Sequence, residues 1–265
     1  MQSLVVLIDG SENDAASLKC ASALARAAGG RLTVVHTKAA EVLPAGAYEI
    51  AVAAIDNSAY AAETLKRARD AYAEACGASP DCRLVEIDAS AAEAIQRVSP
   101  YHDLVLLERV SELEGPDAVA FSTALWGAHS PVLVNPPGLA ADTIKHVAIA
   151  WNGSIQAGRA MRAALPFLQK AVQVTVLQRA GSADDQDLQR YLQAHGVKTV
   201  AFRGYGQKHL TARGWGRALL AEAKAAGADL LVMGAYGSSM GSLLGFGRAT
   251  EKIVTSSPIP VLLSA

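Results

Sequence analysis

Short apolar runs alternate with Ala-rich helical stretches along this chain, and the whole pattern occurs twice. Leu4-Val5-Val6-Leu7-Ile8 runs into polar Asp9-Gly10-Ser11, and Val147-Ala148-Ile149-Ala150-Trp151 runs into Asn152-Gly153-Ser154. Runs that are apolar throughout and end in turn residues predict strands buried on both faces. A helical stretch follows each, 13–28 or 156–171, and then a second strand, Leu32-Thr33-Val34-Val35-His36 or Val174-Thr175-Val176-Leu177. Both halves also close alike, on Ser130-Pro131-Val132-Leu133-Val134 and on Ser257-Pro258-Ile259-Pro260-Val261-Leu262-Leu263.

Between these landmarks the pattern predicts helices over 58–77, 90–98, 185–195, 211–226 and 249–256. Strands are predicted over 83–87, 103–107, 199–202 and 229–233. Segment 39–57 is weakly patterned and reads as loop with a short helical piece. Paired Pro136 and Pro137, then Gly138, forbid a continuing strand or helix and mark a boundary. The expected domains are therefore 1–138 and 143–265. Each is α/β, with a mainly parallel sheet flanked by helices.

Composition supports this picture. Of 265 residues, 51% are hydrophobic and 18% are charged, enough to build a core in each half. No apolar run approaches the ~18 residues of a membrane span, and the chain opens without a basic, cleavable leader. Cys20, Cys76 and Cys82 are irregularly spaced and predict neither a disulfide framework nor a metal site, so a reducing, cytoplasmic setting is expected. Charge is divided. Residues 1–140 carry 10 Lys and Arg against 18 Asp and Glu, whereas residues 141–265 carry 14 against 7. Opposite signs favour docking of the halves, and the basic half suits an anionic ligand. Its basic residues are dispersed and match no nucleic-acid motif, so DNA and RNA are not expected partners.

The chemistry concentrates in the second half. The apolar run ending in Met233 enters Gly234-Ala235-Tyr236-Gly237, and Gly247-Arg248-Ala249-Thr250 then opens a helix. In an open parallel sheet, ligands bind beyond the carboxyl ends of the strands. Glycines there allow tight turns, and the first N–H groups of a helix have no intrahelical partner, so the segment offers donors to phosphate oxygens. Thr250 could add a hydroxyl, Arg248 a charge, and Ser238, Ser239 and Ser242 further donors. The plain alternative is that the glycines are turn residues only. The segment lacks the Gly-Lys-Ser/Thr of a P-loop and the early GxGxxG of a dinucleotide fold.

With Gly-x-x-Gly, nine residues and a further glycine, the chain resembles bacterial tandem universal stress proteins, and the likeness covers both halves. Ala150 to Ser154, Tyr191 to Val197 and Asp229 to Gly237 carry it, although Arg248 stands where Ser or Thr is usual. The resemblance implies two flavodoxin-like, adenine-nucleotide-α-hydrolase-like domains, each with five strands in an order near 3-2-1-4-5. It also implies an internal pseudo-dimer pairing 131–134 with 260–263, and leaves a homodimer undetermined. The implied ligand is ATP, or ADP or AMP, in the second domain. Asn152, Gly234, Gly237, Gly247, Arg248, Ala249 and Thr250 would hold it, with Ala150, Trp151, Leu177, Arg179 and Met233 lining the base side. Asn152 replaces the family's Asp and offers no carboxylate to a ribose. Asp9 keeps that Asp in the first domain, but Glu108-Arg109-Val110-Ser111 replaces the glycines. Glu108 would repel phosphate, so the first domain is expected not to bind ATP, and Asp9 either to cap the following helix or to serve some other small ligand.

No nucleophile elbow, Cys/His arrangement or informative carboxylate pair appears. His36 reads as a satisfied strand-end residue, Cys20 as a small buried one, and Trp215 as an anchor on the other domain. His209 falls in a Gly-rich patch that reads as a flap. Mg²⁺ could accompany the nucleotide, although no acidic ligand set is clearly placed for it. Three functions fit: an adenine-nucleotide-binding stress regulator, a protein-interaction module with a vestigial loop, and a weak ATPase or small-metabolite enzyme.

Overall fold

In the computed structural model, residues 2–37, 47–77, 79–110, 112, 115–136, 144–182, 184–206, 210–235 and 247–265 are described. The first half is built from β1 (Ser3–Ile8), α1 (Asp14–Ala28), β2 (Arg31–Thr37), α2 (Ala47–Cys76) and β3 (Cys82–Ile87). It continues through α3 (Ala91–Val98), β4 (Leu104–Glu108), α4 (Gly115–Ser122) and β5 (Val132–Asn135). The second half follows the same sequence with β6 (His146–Ala150), α5 (Ile155–Leu168), β7 (Gln173–Arg179), α6 (Gln186–Ala194) and β8 (Val200–Tyr205). It ends with α7 (Ala212–Ala225), β9 (Leu230–Gly234), α8 (Arg248–Ser256) and β10 (Val261–Ser264).

The strands run β3-β2-β1-β4-β5-β10-β9-β6-β7-β8 in a single ten-stranded sheet. Each half keeps the expected internal order, but the two sheets are not separate. Val132, Leu133 and Val134 of β5 pair antiparallel with Leu263, Leu262 and Val261 of β10. Both strands are apolar and buried along this seam, and edge strands left unpaired there would bury backbone donors and acceptors without partners.

Alternating side chains of the buried strands feed two cores. Leu4, Val6, Leu106 and Ile149 meet Leu18 and Leu24 of α1, Met161 of α5 and Leu188 of α6. On the other face Val5, Val105, Ala148 and Leu231 meet Ile95 of α3, Phe121 of α4, Leu219 of α7 and Ile253 of α8. The result is a helix–sheet–helix sandwich, with each fully buried aliphatic side chain contributing ~1.5–3 kcal/mol. Local signals set helix starts: Ser90 and Glu93 form a reciprocal capping box at α3, and Asp185 caps α6 through the Leu188 amide.

Three features depart from the sequence expectations. Helix α2 begins at Ala47 rather than 58, because Ala-rich sequence favours helix even where its apolar stripe is weak. Helix α4, continued as a π-helix over Thr123–Gly127, fills a stretch with no assigned helix. Cys76 and Cys82 are disulfide-bonded across the turn from α2 to β3, with Cα atoms 6.0 Å apart. Six residues of separation match no motif, yet the reversal of the chain brings the two thiols together. The thiol-based argument for a reducing compartment therefore does not stand. No helix among the described residues is long and apolar enough to cross a membrane. The linker after Pro136 and His209 lie outside the described residues.

Candidate functional site

In each half the chain steps outward from its first strand and then returns to that strand's other side. This places topological switch points between β1 and β4 and between β6 and β9. The carboxyl edge there is where an open α/β sheet leaves a crevice.

At the β6/β9 edge, Ala150 lies in register with both Leu177 and Met233, so the three side chains sit together on the α7/α8 face. Leu177 is fully buried and Met233 nearly so, which makes them floor rather than open wall. Trp151 leaves by the opposite face, where its indole N–H donates to Asp185 Oδ2 at 2.7 Å. That bond and the Leu188 amide hold the Asp185 carboxyl below its usual range, the amide contributing most. Arg179 lies 4.8 Å over the Trp215 ring, and Tyr205 meets the same ring edge-on. Among the described contacts, Trp215 thus anchors within its own half.

The signature positions hold different jobs. Asn152 Oδ1 accepts the Ser154 amide at 3.1 Å, closing the turn before α5, and Asp9 Oδ1 accepts the Ser11 amide at 3.0 Å in the same way. Asp9 thus closes the turn ahead of α1 rather than serving as its N-cap, a position that Asn13 fills. A Cβ on Gly234 would lie 2.5 Å from the Ala157 nitrogen, so this glycine admits the start of α5 against β9. Gly247 is the N-cap of α8, in ordinary extended geometry with φ −70° and ψ 141°. It supplies no side-chain acceptor, whereas Ser154, Asp185 and Thr211 cap α5, α6 and α7. Behind it Arg248 is exposed, Ala249 half-buried and Thr250 buried. Gly237, Ser238, Ser239 and Ser242 lie outside the described residues.

The β1/β4 edge differs in charge. A cavity of about 630 Å³ opens there, and Asp9, Asp14, Glu108, Glu112 and Asp117 all line it. Sequence reasoning singled out Asp9 and Glu108 only. The surplus of acidic residues in the first half was the available signal, but it does not say which of them converge. Glu108 occupies the place of Gly234 and accepts the Ser17 hydroxyl at 3.0 Å. Arg109 also lines the cavity, and its Nη1 donates to the Thr255 carbonyl of α8 at 2.6 Å. Burial raises the Asp14 carboxyl to about 6, against the Gly10 amide that donates to it and with Asp9 adding repulsion. Burial likewise raises Glu108 and Asp117. His36, expected to be satisfied, is 6% exposed with no partner for Nε2, and burial holds its pKa down.

A raised carboxylate pKa has a definite sign for stability. The folded protein resists ionising Asp14, so a cost develops between pH 3.8 and about 6 and persists above. Asp14→Asn keeps an acceptor for the Gly10 amide and removes that cost. The expected gain is about 2 kcal/mol at neutral pH, vanishing near pH 3.5. Urea unfolding of both proteins at the two pH values checks it, and a loss of stability at neutral pH would contradict the assignment.

Comparison with known proteins agrees with this architecture. The model of the Universal stress protein family matches residues 1–110 and 143–264. A universal stress protein from Archaeoglobus fulgidus DSM 4304 superposes with a TM-score of 0.68 at 16% identity, covering 99% of this chain and 95% of that one. A functionally unknown protein from Pseudomonas aeruginosa PAO1 gives 0.58 at 14% identity, covering 100% and 92%. A further universal stress protein from Archaeoglobus fulgidus, solved with dAMP, covers 51% of this chain and 97% of its own, at 17% identity and a TM-score of 0.30. No curated protein matches the sequence. With matched segments that take in most of both halves, the chain belongs to the universal stress protein family.

Proposed function

We propose that the protein binds ATP or another adenine nucleotide at the β6/β9 edge of its second half, as a regulatory ligand. The observation that carries this reading is the start of α8. Among the described helices of this half, the three others have side-chain caps, whereas α8 presents its first amides with none. Such an end attracts phosphate through its donors and its dipole. The surplus of Lys and Arg over residues 141–265 acts in the same direction. Phosphates would meet the α8 amides and Arg248, while Asn152 and the Ala150–Met233 floor would face the nucleoside. No described group of three His, Cys, Asp or Glu is placed to hold a metal, so no step is assigned to Mg²⁺.

A second reading has its own support. Gly234 and Asn152 each have a packing or turn role that needs no ligand. An interaction module with a vestigial loop would keep both. Denaturing freshly purified protein and assaying released nucleotide, followed by calorimetry with ATP, separates the two. Near-stoichiometric nucleotide or saturable binding is expected. Absence of both, with no thermal shift at millimolar ATP, would favour the module.

A further inference from the structure

We infer that Arg109 of the first half is a positioning residue for α8 of the second, so that the halves are coupled through this helix. Its effect on nucleotide rests on the function proposed above, whereas the contact itself does not.

Helix α8 runs from one edge of the sheet to the other. Because β5 and β10 are antiparallel, the carboxyl edges of the two halves open at opposite ends of the sheet. A helix that leaves the β9 edge and returns to the start of β10 must cross between them. At ~1.5 Å per residue, Arg248–Ser256 spans ~13 Å. Its amino end, after Gly247, is the end proposed for phosphate. Its carboxyl end reaches the first half, where Val254 lines the β1/β4 cavity and the Thr255 carbonyl accepts Arg109 Nη1 at 2.6 Å.

That carboxyl end needs a donor. The last four carbonyls of a helix have no intrahelical partner and form the negative end of its dipole. The chain's own return meets part of the need, as the Ser257 amide donates to the Ile253 carbonyl at 2.9 Å. The last turn of α8 contains no basic residue of its own. Arg109 supplies that cation from the other half, and a charge-assisted bond to a terminal carbonyl is a recognised way to close a helix. Its Nε is buried, so the guanidinium is enclosed at the seam and shielded from competing water.

The repeat singles out this residue. The Arg109 amide donates to the Asn135 carbonyl at 2.7 Å, and the Ala235 amide to the Ser264 carbonyl at 2.8 Å. The two residues therefore occupy equivalent places just past β4 and β9. Ala235 is a buried methyl with nothing to extend across the seam. At this position only the first half reaches over, and it reaches the helix whose other end is uncapped.

Within its own half α8 is gripped nearer its start. A Cβ on Gly216 of α7 would lie 3.0 Å from the Ala249 carbonyl oxygen, and Arg213 pairs with Glu251 at 3.5 Å. Arg109 holds the far end. Released there, the helix tilts about its contact with α7, and its first amides move with it.

Hydrogen exchange and ATP calorimetry on the full chain test this with Arg109→Met, which keeps the stem and drops the cation, and Arg109→Lys, which keeps a cationic donor. Without nucleotide, the amides of residues 251–256 should exchange about tenfold faster in the Met variant, while those of α5 are unchanged. ATP affinity should fall about fivefold in the Met variant, with both readouts within about twofold of the parent in the Lys variant. If the Met variant fails to fold, Arg109→Gln takes its place as a neutral donor, with about threefold effects expected on both. Unchanged exchange in α8, or equal acceleration in α5 and α8, would overturn the inference. Faster exchange in α8 with unchanged ATP affinity would overturn the link to the nucleotide site. If the parent binds no ATP, the nucleotide function fails, and the exchange contrast alone decides whether Arg109 holds α8.

Discussion

Gly247→Asp is expected to weaken ATP binding on the order of 100-fold, ~2.7 kcal/mol, while the melting temperature stays level or rises slightly. The backbone at Gly247 is extended, at φ −70° and ψ 141°, so an Asp enters without strain. As N-cap it would accept the Ala249 or Thr250 amide, a gain of a few tenths of a kcal/mol over glycine. That same act removes donors from a phosphate and sets a carboxylate beside it. Stability and binding therefore move in opposite directions, which a merely damaged fold cannot produce. Gly247→Asn competes for the donors without the charge and should cost only about tenfold. Calorimetry and thermal unfolding on both variants read the contrast. Unchanged affinity in the Asp variant would remove α8 from the site.

Gly234→Ala is expected to lower stability by about 3 kcal/mol, a fall of roughly 6–12 °C in Tm for a chain of this size. The added Cβ would lie 2.5 Å from the Ala157 nitrogen and 2.8 Å from the Gln156 carbonyl carbon. These are backbone atoms at the start of α5, so the helix must move as a body, and Ser154, Ala160 and Met161 move with it. Any loss of nucleotide binding in this variant would follow from lost packing. A variant as stable as the parent would show that α5 tolerates a shift and that Gly234 serves a ligand instead. The two glycines of one signature thus have separable jobs, one admitting a helix and the other leaving amides uncapped.

Much of the architecture was legible because buried strands and capped helices write themselves locally. The Val- and Leu-rich runs, Gly29 after α1 and Ser90 before α3 each state an element's type or end. The order of strands within each half, and the β5–β10 pairing, followed from the repeat and its resemblance to a family. What escaped was set by contacts distant in sequence. Nothing near Gly234 announces that α5 approaches it. Nothing around Asp117 reveals that it shares a cavity with Asp14, since their elements meet only in the folded sheet. The Cys76–Cys82 bond depends on the path of one turn. Helix α2 extends through sequence whose alanines carry propensity but little amphipathic stripe, so its beginning was unreadable.

The antiparallel seam between Leu133 and Leu262 has a consequence beyond geometry. When two identical subunits meet along such a line, each inherited change is duplicated on the far side, and a pocket altered in one is altered in both. Here a single polypeptide supplies both flanks, so one can drift without its twin. Two identical subunits could not differ in charge as these halves do, one at net −8 and the other at +7. Covalent union is what lets two halves of one shape become unlike while they still lean on each other.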